Sequence, residues 1–334
     1  MNPSRSTLIA IGAAFAALAL LVAVPTMLGN RLHPAFAALA DGNRGWLAIA
    51  LAAFATCFVC TVGAWRAAFA AAGARICPRE AAARLGIGCA VNSFAPAKLG
   101  DAVKVALCAR ALDGPSRLWT GGGVYAALAA ARSLALASIV LVASLTGAIP
   151  LWPAFALCGL TAGVAVAAVL SRRLRSHPRI TSLLEGAGAL ARSPRAAATV
   201  IAWSLAVQLA RFLGAVAVAR ALGLPSPLLA ALVIAPALDL AGAFPITPGS
   251  FGIGSGAVAV ALAGRGIGVD QALAVGIAMQ ALETVVSLTA GATGGLYLAR
   301  LNPAVRRWTV RVAVAGASAA LAAVVGAVWL DAIF

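Results

Sequence analysis

Apolar runs of about 20 residues, the length an α-helix needs to cross a bilayer, recur along the chain at 8–28, 46–66, 118–147, 152–170, 196–220, 270–298 and 309–333. Backbone N–H and C=O groups find no water in the hydrocarbon core, so a run of this length is stable there when its hydrogen bonds close within the helix. The chain is therefore expected to be an all-α integral membrane protein. Of its 334 residues, 63% are hydrophobic and only 10% are charged, and the mean hydropathy is +1.00. No polar stretch reaches domain size, so 1–334 is expected to form one polytopic membrane domain. The formal net charge of +16 would suggest nucleic acid in a soluble protein. Here the arginines sit in short loops between apolar runs, where they set topology and attract anionic headgroups, so no nucleic-acid partner is expected. Residues 8–28 follow Arg5 as a signal peptide would. The run is long enough to span and no clear A-x-A site follows, so it is expected to stay as an extra N-terminal span within 1–30.

Two further apolar regions, 85–112 and 228–263, are broken by Pro and Gly. Loop charge decides how they cross. Arg66, Arg75, Arg79 and Arg84 follow the second run; Arg172, Arg173, Arg175, Arg179, Arg192 and Arg195 follow the fourth; Arg300, Arg306, Arg307 and Arg311 precede the last. All three loops are cytoplasmic by the positive-inside rule, and the uncharged connections IPLWP and GLPSP face outward. An even number of crossings must separate two loops on one side, and the unbroken runs between them already supply two. Each broken region is thus expected to enter and leave on the same side, the first from the cytoplasm and the second from outside. Residues 45–170 and 196–333 then become two repeats of one plan in opposite orientations, with seven full spans and two re-entrant broken hairpins. The N-terminus would be cytoplasmic and the C-terminus external. NSFAPAKLGDAV and GAFPITPGSFGI, one in each hairpin, both place Phe before Pro and Gly shortly after. Inverted repeats with broken helices are a transporter-like architecture.

The stretch AFPITPGSFGIGSG (243–256) holds two prolines, four glycines and no charge. Non-helical backbone at membrane depth is tolerated where protein or a water-filled cavity satisfies its polar groups. Pro245 and Pro248 would stop one half-helix, the glycines would let amides approach a ligand, and the next half-helix would point its positive N-terminal end at the cavity from near Gly252. A proline-kinked packing helix is the plainer alternative. The glycines do not form a nucleotide loop, because no Gly-Lys-Ser/Thr follows them.

At these two motifs the sequence resembles the transmembrane domain of the lysylphosphatidylglycerol synthase family, also called flippase-like. The first family motif is matched by Asn92, Pro96, Lys98, Gly100, Asp101 and Lys104, and the second by Pro245, Thr247, Pro248, Gly249 and Gly252. Two positions depart from the pattern: Ser255 stands where an acidic residue is usual, and Glu283 where an arginine is usual. The resemblance covers the membrane part alone, so it implies lipid translocation, and aminoacyl transfer or other enzymatic activity is not expected.

Arg132, Arg211, Asp239 and Glu283 lie within apolar runs. A charge at the bilayer centre costs about 2.5–3.5 kcal/mol on insertion scales, so these residues should face the bundle interior and pair or meet substrate. By type alone Arg132 would pair with Glu283 and Arg211 with Asp239; such a cancelling network and a substrate-binding role are both open. Cys57 and Cys60 form a C-x-x-C inside an apolar run, where packing is the ordinary role. His33 and His177 are far apart, and neither a metal nor a cofactor is expected. Trp46, Trp65, Trp119, Trp152 and Trp308 fall near span ends, as an aromatic belt would. The leading expectation is a translocase for a polar or anionic headgroup lipid, or a polyprenyl-linked one, in a bacterial inner membrane. The alternatives are a non-transporting accessory protein for a glycosyltransferase or lipid-synthesis enzyme, and a permease for a small solute.

Overall fold

A computed structural model describes residues 41–95, 99–147, 178–243 and 253–301, with Ile149, Phe155, Gly159 and Gly163. Among these the chain is helical throughout, with short connections: α1 (Arg44–Ala71), α2 (Pro78–Phe94), α3 (Leu99–Ala109), α4 (Arg117–Leu145), α5 (Pro178–Ala191), α6 (Pro194–Ala221), α7 (Pro227–Ala243), α8 (Ile253–Ala263) and α9 (Val269–Leu301). Helices α1, α4, α6 and α9 are long and apolar enough to cross a membrane. They coincide with the expected spans at 46–66, 118–147, 196–220 and 270–298. The other three expected spans, 8–28, 152–170 and 309–333, lie outside the described residues apart from single positions.

Local chemistry sets the helix ends. The Asn43 side chain accepts from the Gly45 and Trp46 amides at the start of α1, and Ser193 accepts from Ala196 ahead of Pro194 at the start of α6. These satisfy amides that have no partner within the helix. Both helices stop in the same way. Gly73 and Gly223 adopt positive φ, 95° and 68°, and the amide after each reaches back to a carbonyl five residues earlier, Ala74 N to Phe69 O and Leu224 N to Ala219 O, each 2.9 Å. This left-handed stop is cheap only for glycine.

The two broken regions each become a pair of short helices, α2 with α3 and α7 with α8, of 17 and 11 residues in both cases. Within each pair the helices pack on one another. The residues that join them, 96–98 and 244–252, lie outside the described structure. One core cluster holds Ile76, Ala81, Leu85, Cys108, Ala109, Leu112 and Leu190. The start of α2, the end of α3 and the end of α5 thus share one face of the bundle, which also bears Arg66, Arg75, Arg79, Arg192 and Arg195. At the opposite face the Asn43 amide donates to Ala221 O (3.0 Å), Arg265 to Gly147 O (3.1 Å) and Gln271 to Leu222 O (2.8 Å). The α7–α8 pair therefore begins and ends at the face opposite the arginine-rich one, where Arg44, Arg220 and Arg265 are the arginines.

Small residues bring the helices together. On α2 and α9, Ala83, Gly86 and Ala90 meet Ala290, Gly291 and Gly294 so closely that a Cβ on Gly294 would lie 2.5 Å from the Ala83 carbonyl oxygen. Helix α1 runs along α6, with Gly63 under the Trp203 ring and Gly214 against Phe54. Within a bilayer, association rests on such close van der Waals packing, since lipid tails are as apolar as the side chains they would replace. Two sequence expectations change. Residues 178–191, read as part of a basic loop, form α5, which lies against α4 through Gly123 and Gly186. Trp65 is 2% exposed, stacks on Phe69 and packs at a tilt against Tyr125, so it is core and not belt.

Candidate functional site

Asp101 is the third residue of α3 and takes three donors. Lys104 Nζ (2.8 Å) and Asn92 Nδ2 (2.9 Å) donate to Oδ1, and the Tyr125 hydroxyl donates to Oδ2 at 2.9 Å. Lys104 lies one helical turn beyond Asp101, so the pair shares a face of α3. Asn92 comes from α2 and Tyr125 from α4, and a single carboxylate thus ties three helices together. Gly100 makes this possible. Its backbone rests against the Gly88 carbonyl and the Asn92 side chain, leaving no room for a Cβ. The Asn92 Oδ1 atom is buried without a hydrogen-bond partner.

The second cluster centres on a cation. Arg211 of α6 donates from Nη1 to Asp239 Oδ1 (2.9 Å) on α7 and from Nη2 to Glu283 Oε2 (3.2 Å) on α9. Gln208, one turn before Arg211, donates to Asp239 Oδ2 at 3.2 Å. The guanidinium fork suits two carboxylates at once, whereas a lysine would present a single point charge. The Arg211 side chain is 14% exposed and that of Glu283 is 48% exposed. A carboxylate that open at the middle of a spanning helix requires a polar surround.

The expected Arg211–Asp239 pair forms, and the expected Arg132–Glu283 pair does not. Helix α6 packs against both α7 and α9, so Arg211 reaches both acids and Glu283 is already engaged. Arg132, half-buried on α4, has no ion pair or hydrogen bond among the described residues. It is near enough to Lys104, Tyr125 and Cys57 to act on each electrostatically. Cys57, at the middle of α1, also feels Arg211, Glu283 and Asp239, which sets α1's midpoint beside the Arg211 cluster. Interior charges among the described residues thus balance: Lys104, Arg132 and Arg211 against Asp101, Asp239 and Glu283.

Of the residues singled out from sequence, Asn92, Gly100, Asp101 and Lys104 come together, as do Arg211, Asp239 and Glu283. Pro96, Lys98, Pro245, Thr247, Pro248, Gly249 and Gly252 lie outside the described residues, and so does any meeting of the two hairpin tips. Sequence reasoning missed Tyr125 and Gln208. Gln208 carried a signal, a polar amide in an apolar helix one turn from Arg211; Tyr125 carried only its rarity.

Long apolar helices with polar clusters buried between them define a multi-pass helical membrane protein. The chain belongs to the family described as the lysylphosphatidylglycerol synthase TM region, which matches residues 9–291. None of the curated proteins compared with the chain matches it.

Proposed function

We propose that the chain is a lipid translocase that admits a polar or anionic headgroup to a cavity between its two halves while the acyl or isoprenoid chains stay in the bilayer. Arg132 carries this reading. It is a cation at membrane depth, close to the Asp101 cluster, and its charge is the one that the described carboxylates leave unpaired. An intramembrane cation of this kind is costly unless it meets an anion, and a headgroup phosphate supplies one. The two clusters have a different task, holding the short helices in place around it. Lys98 and the amides after Pro248 are further groups the motifs offer to a phosphate.

The remaining parts of the reading follow from the same plan. Residues 45–170 and 196–333 are inverted repeats of span, hairpin, span and span, with an extra N-terminal span in 1–30. The shared order of helix lengths and the matching glycine stops support it. The chain spans the bacterial inner membrane with its N-terminus in the cytoplasm and its C-terminus outside. It acts as a carrier, not an enzyme, driven by an ion gradient or by mass action.

The test is flipping of a labelled phospholipid in reconstituted vesicles at matched protein content. Arg132→Gln should slow flipping by about 10- to 100-fold, the range expected for one charge-assisted hydrogen bond, with the unfolding temperature nearly unchanged. Arg306→Gln, a loop change, should leave the rate alone. If Arg132→Gln flips as fast as wild type, the cation is structural and the accessory-protein reading is the better one.

A further inference from the structure

Glu185 and Ala189 of α5 and Arg192 just after it follow one another at four- and three-residue spacing, so they share one stripe of the helix. With Ala72 after the end of α1 and Thr120 in the first turn of α4, they line an open cleft of about 290 Å³. The alanines bring only methyl groups to this lining, and Gly186 lets α5 lie against the Thr120 backbone. The cleft opens at the arginine-rich face and at headgroup depth. Trp119, the neighbour of Thr120, is exposed, and the Arg179 guanidinium lies over its ring at 5.8 Å, as in an interfacial aromatic belt.

The cleft holds an acid and a base that do not pair. Arg192 folds back over Gly188 and donates from Nη2 to the Glu185 backbone carbonyl oxygen at 3.2 Å. That contact holds the guanidinium beside Glu185 and uses one of its five N–H donors. The Glu185 carboxylate itself has no ion pair or hydrogen bond among the described residues. Thr120 donates its hydroxyl proton to the Ser116 carbonyl oxygen (3.5 Å), which leaves the hydroxyl oxygen free to accept. A simple anion here would face Glu185, and a simple cation would face Arg192; a ligand bearing both charges satisfies both. We infer that the cleft is a binding site for a small zwitterion, its phosphate on Arg192 and its ammonium on Glu185 and Thr120. The volume is at the low end for ligand pockets, so it suits a headgroup or a free molecule of that size and not a pair of acyl chains. Phosphatidylethanolamine presents this chemistry as a lipid, and O-phosphoethanolamine presents it in solution. The site is separate from the Asp101 and Arg211 clusters, and its occupancy can be read without any transport.

The test is native mass spectrometry of the delipidated full chain titrated with phosphatidylethanolamine or phosphatidylglycerol of equal chain length. Wild type should retain phosphatidylethanolamine about fivefold more tightly, the scale of one solvent-screened ion pair. Glu185→Gln should remove that preference by weakening phosphatidylethanolamine alone, and Arg192→Gln should weaken both lipids alike. Both residues are exposed, so these variants keep the fold, which thermal unfolding checks. Ala189→Leu fills the cleft from its floor and should lower retention of both lipids. Competition identifies the source of the zwitterion: displacement of the lipid by O-phosphoethanolamine shows that the charges alone are recognised, so that a free molecule can occupy the site, and no displacement shows that the ligand is a lipid. Equal retention of the two lipids by wild type, a preference that survives Glu185→Gln, a Glu185→Gln loss shared equally by both lipids, or an Arg192→Gln protein that binds as wild type does would overturn the site.

Discussion

Arg211 holds one positive charge between two carboxylates, and that ratio decides what each substitution does. Glu283→Gln or Asp239→Asn leaves a one-to-one pair, so each should lower stability by only about 1 kcal/mol. Arg211→Gln leaves largely buried Asp239 without its cation and with half-exposed Glu283 nearby, and should cost about 3–5 kcal/mol, the range for an uncompensated buried charge. Thermal unfolding in detergent should rank the three variants in that order, and Arg211→Gln as the mildest would contradict the geometry. The Asp101 cluster differs because two of its three donors are neutral. Tyr125→Phe removes one of them and should cost about 1 kcal/mol, while Asp101→Asn leaves buried Lys104 without its acid and should cost more. The acids and bases of both clusters were legible in the sequence because a charge in an apolar run is expensive and so conspicuous. Their pairing was legible only within a helix, where Asp101 and Lys104 are a turn apart. Glu283 lies 72 positions from Arg211, and nothing in the residue types separates Arg211 from Arg132 as its partner; the docking of α6 between α7 and α9 makes the choice.

At the scale of the helix, the neighbours Gly122 and Gly123 of α4 give opposite predictions. A Cβ on Gly122 meets nothing within 4 Å, whereas one on Gly123 runs into the Leu183 carbonyl and lies 2.8 Å from the Ala187 amide nitrogen on α5. Gly122→Ala should therefore be neutral or stabilising by up to about 1 kcal/mol through helix propensity. Gly123→Ala must push α5 away from α4 and should cost about 1–3 kcal/mol, the price of overpacking. Equal unfolding temperatures for the two variants would mean that α5 does not dock as described. The long helices were legible, to within a few residues, because hydropathy reports a length that the bilayer fixes. The breaks at 85–112 and 228–263 were legible through Pro and Gly. Helix α5 was not: its stretch is too short and too charged at its margins to read as a span, and it is held by glycine contacts to α4 that no local pattern reveals. The same holds for Trp65, which sits near a span end by number but points into the α1–α4 core.

For the molecule as a whole, the sequence argument was one of parity: loops rich in arginine share a side, so each broken region must return to the side it left. Among the described residues, the outer ends of α2–α3 and of α7–α8 lie at opposite faces. Orientation is a separate matter, because it depends on which face the cell keeps inside. The arginines of the 66–84 and 172–195 stretches lie within about 15–20 residues of spanning segments, the distance over which basic residues resist export, whereas the loop at 223–227 carries no charge. The arginine-rich face should then be cytoplasmic. Glu185 on α5 and Ser226 ahead of α7 are both exposed and stand at the two faces, so each can carry a single reporter cysteine in a background without the native ones. An impermeant maleimide given to intact spheroplasts should label Ser226→Cys at once and Glu185→Cys only after the membrane is opened. The reverse pattern would invert the whole molecule. Labelling of both sites in intact cells would mean that 178–191 and 223–227 share a side, and the parity of the α6 crossing, with the inverted plan built on it, would fail.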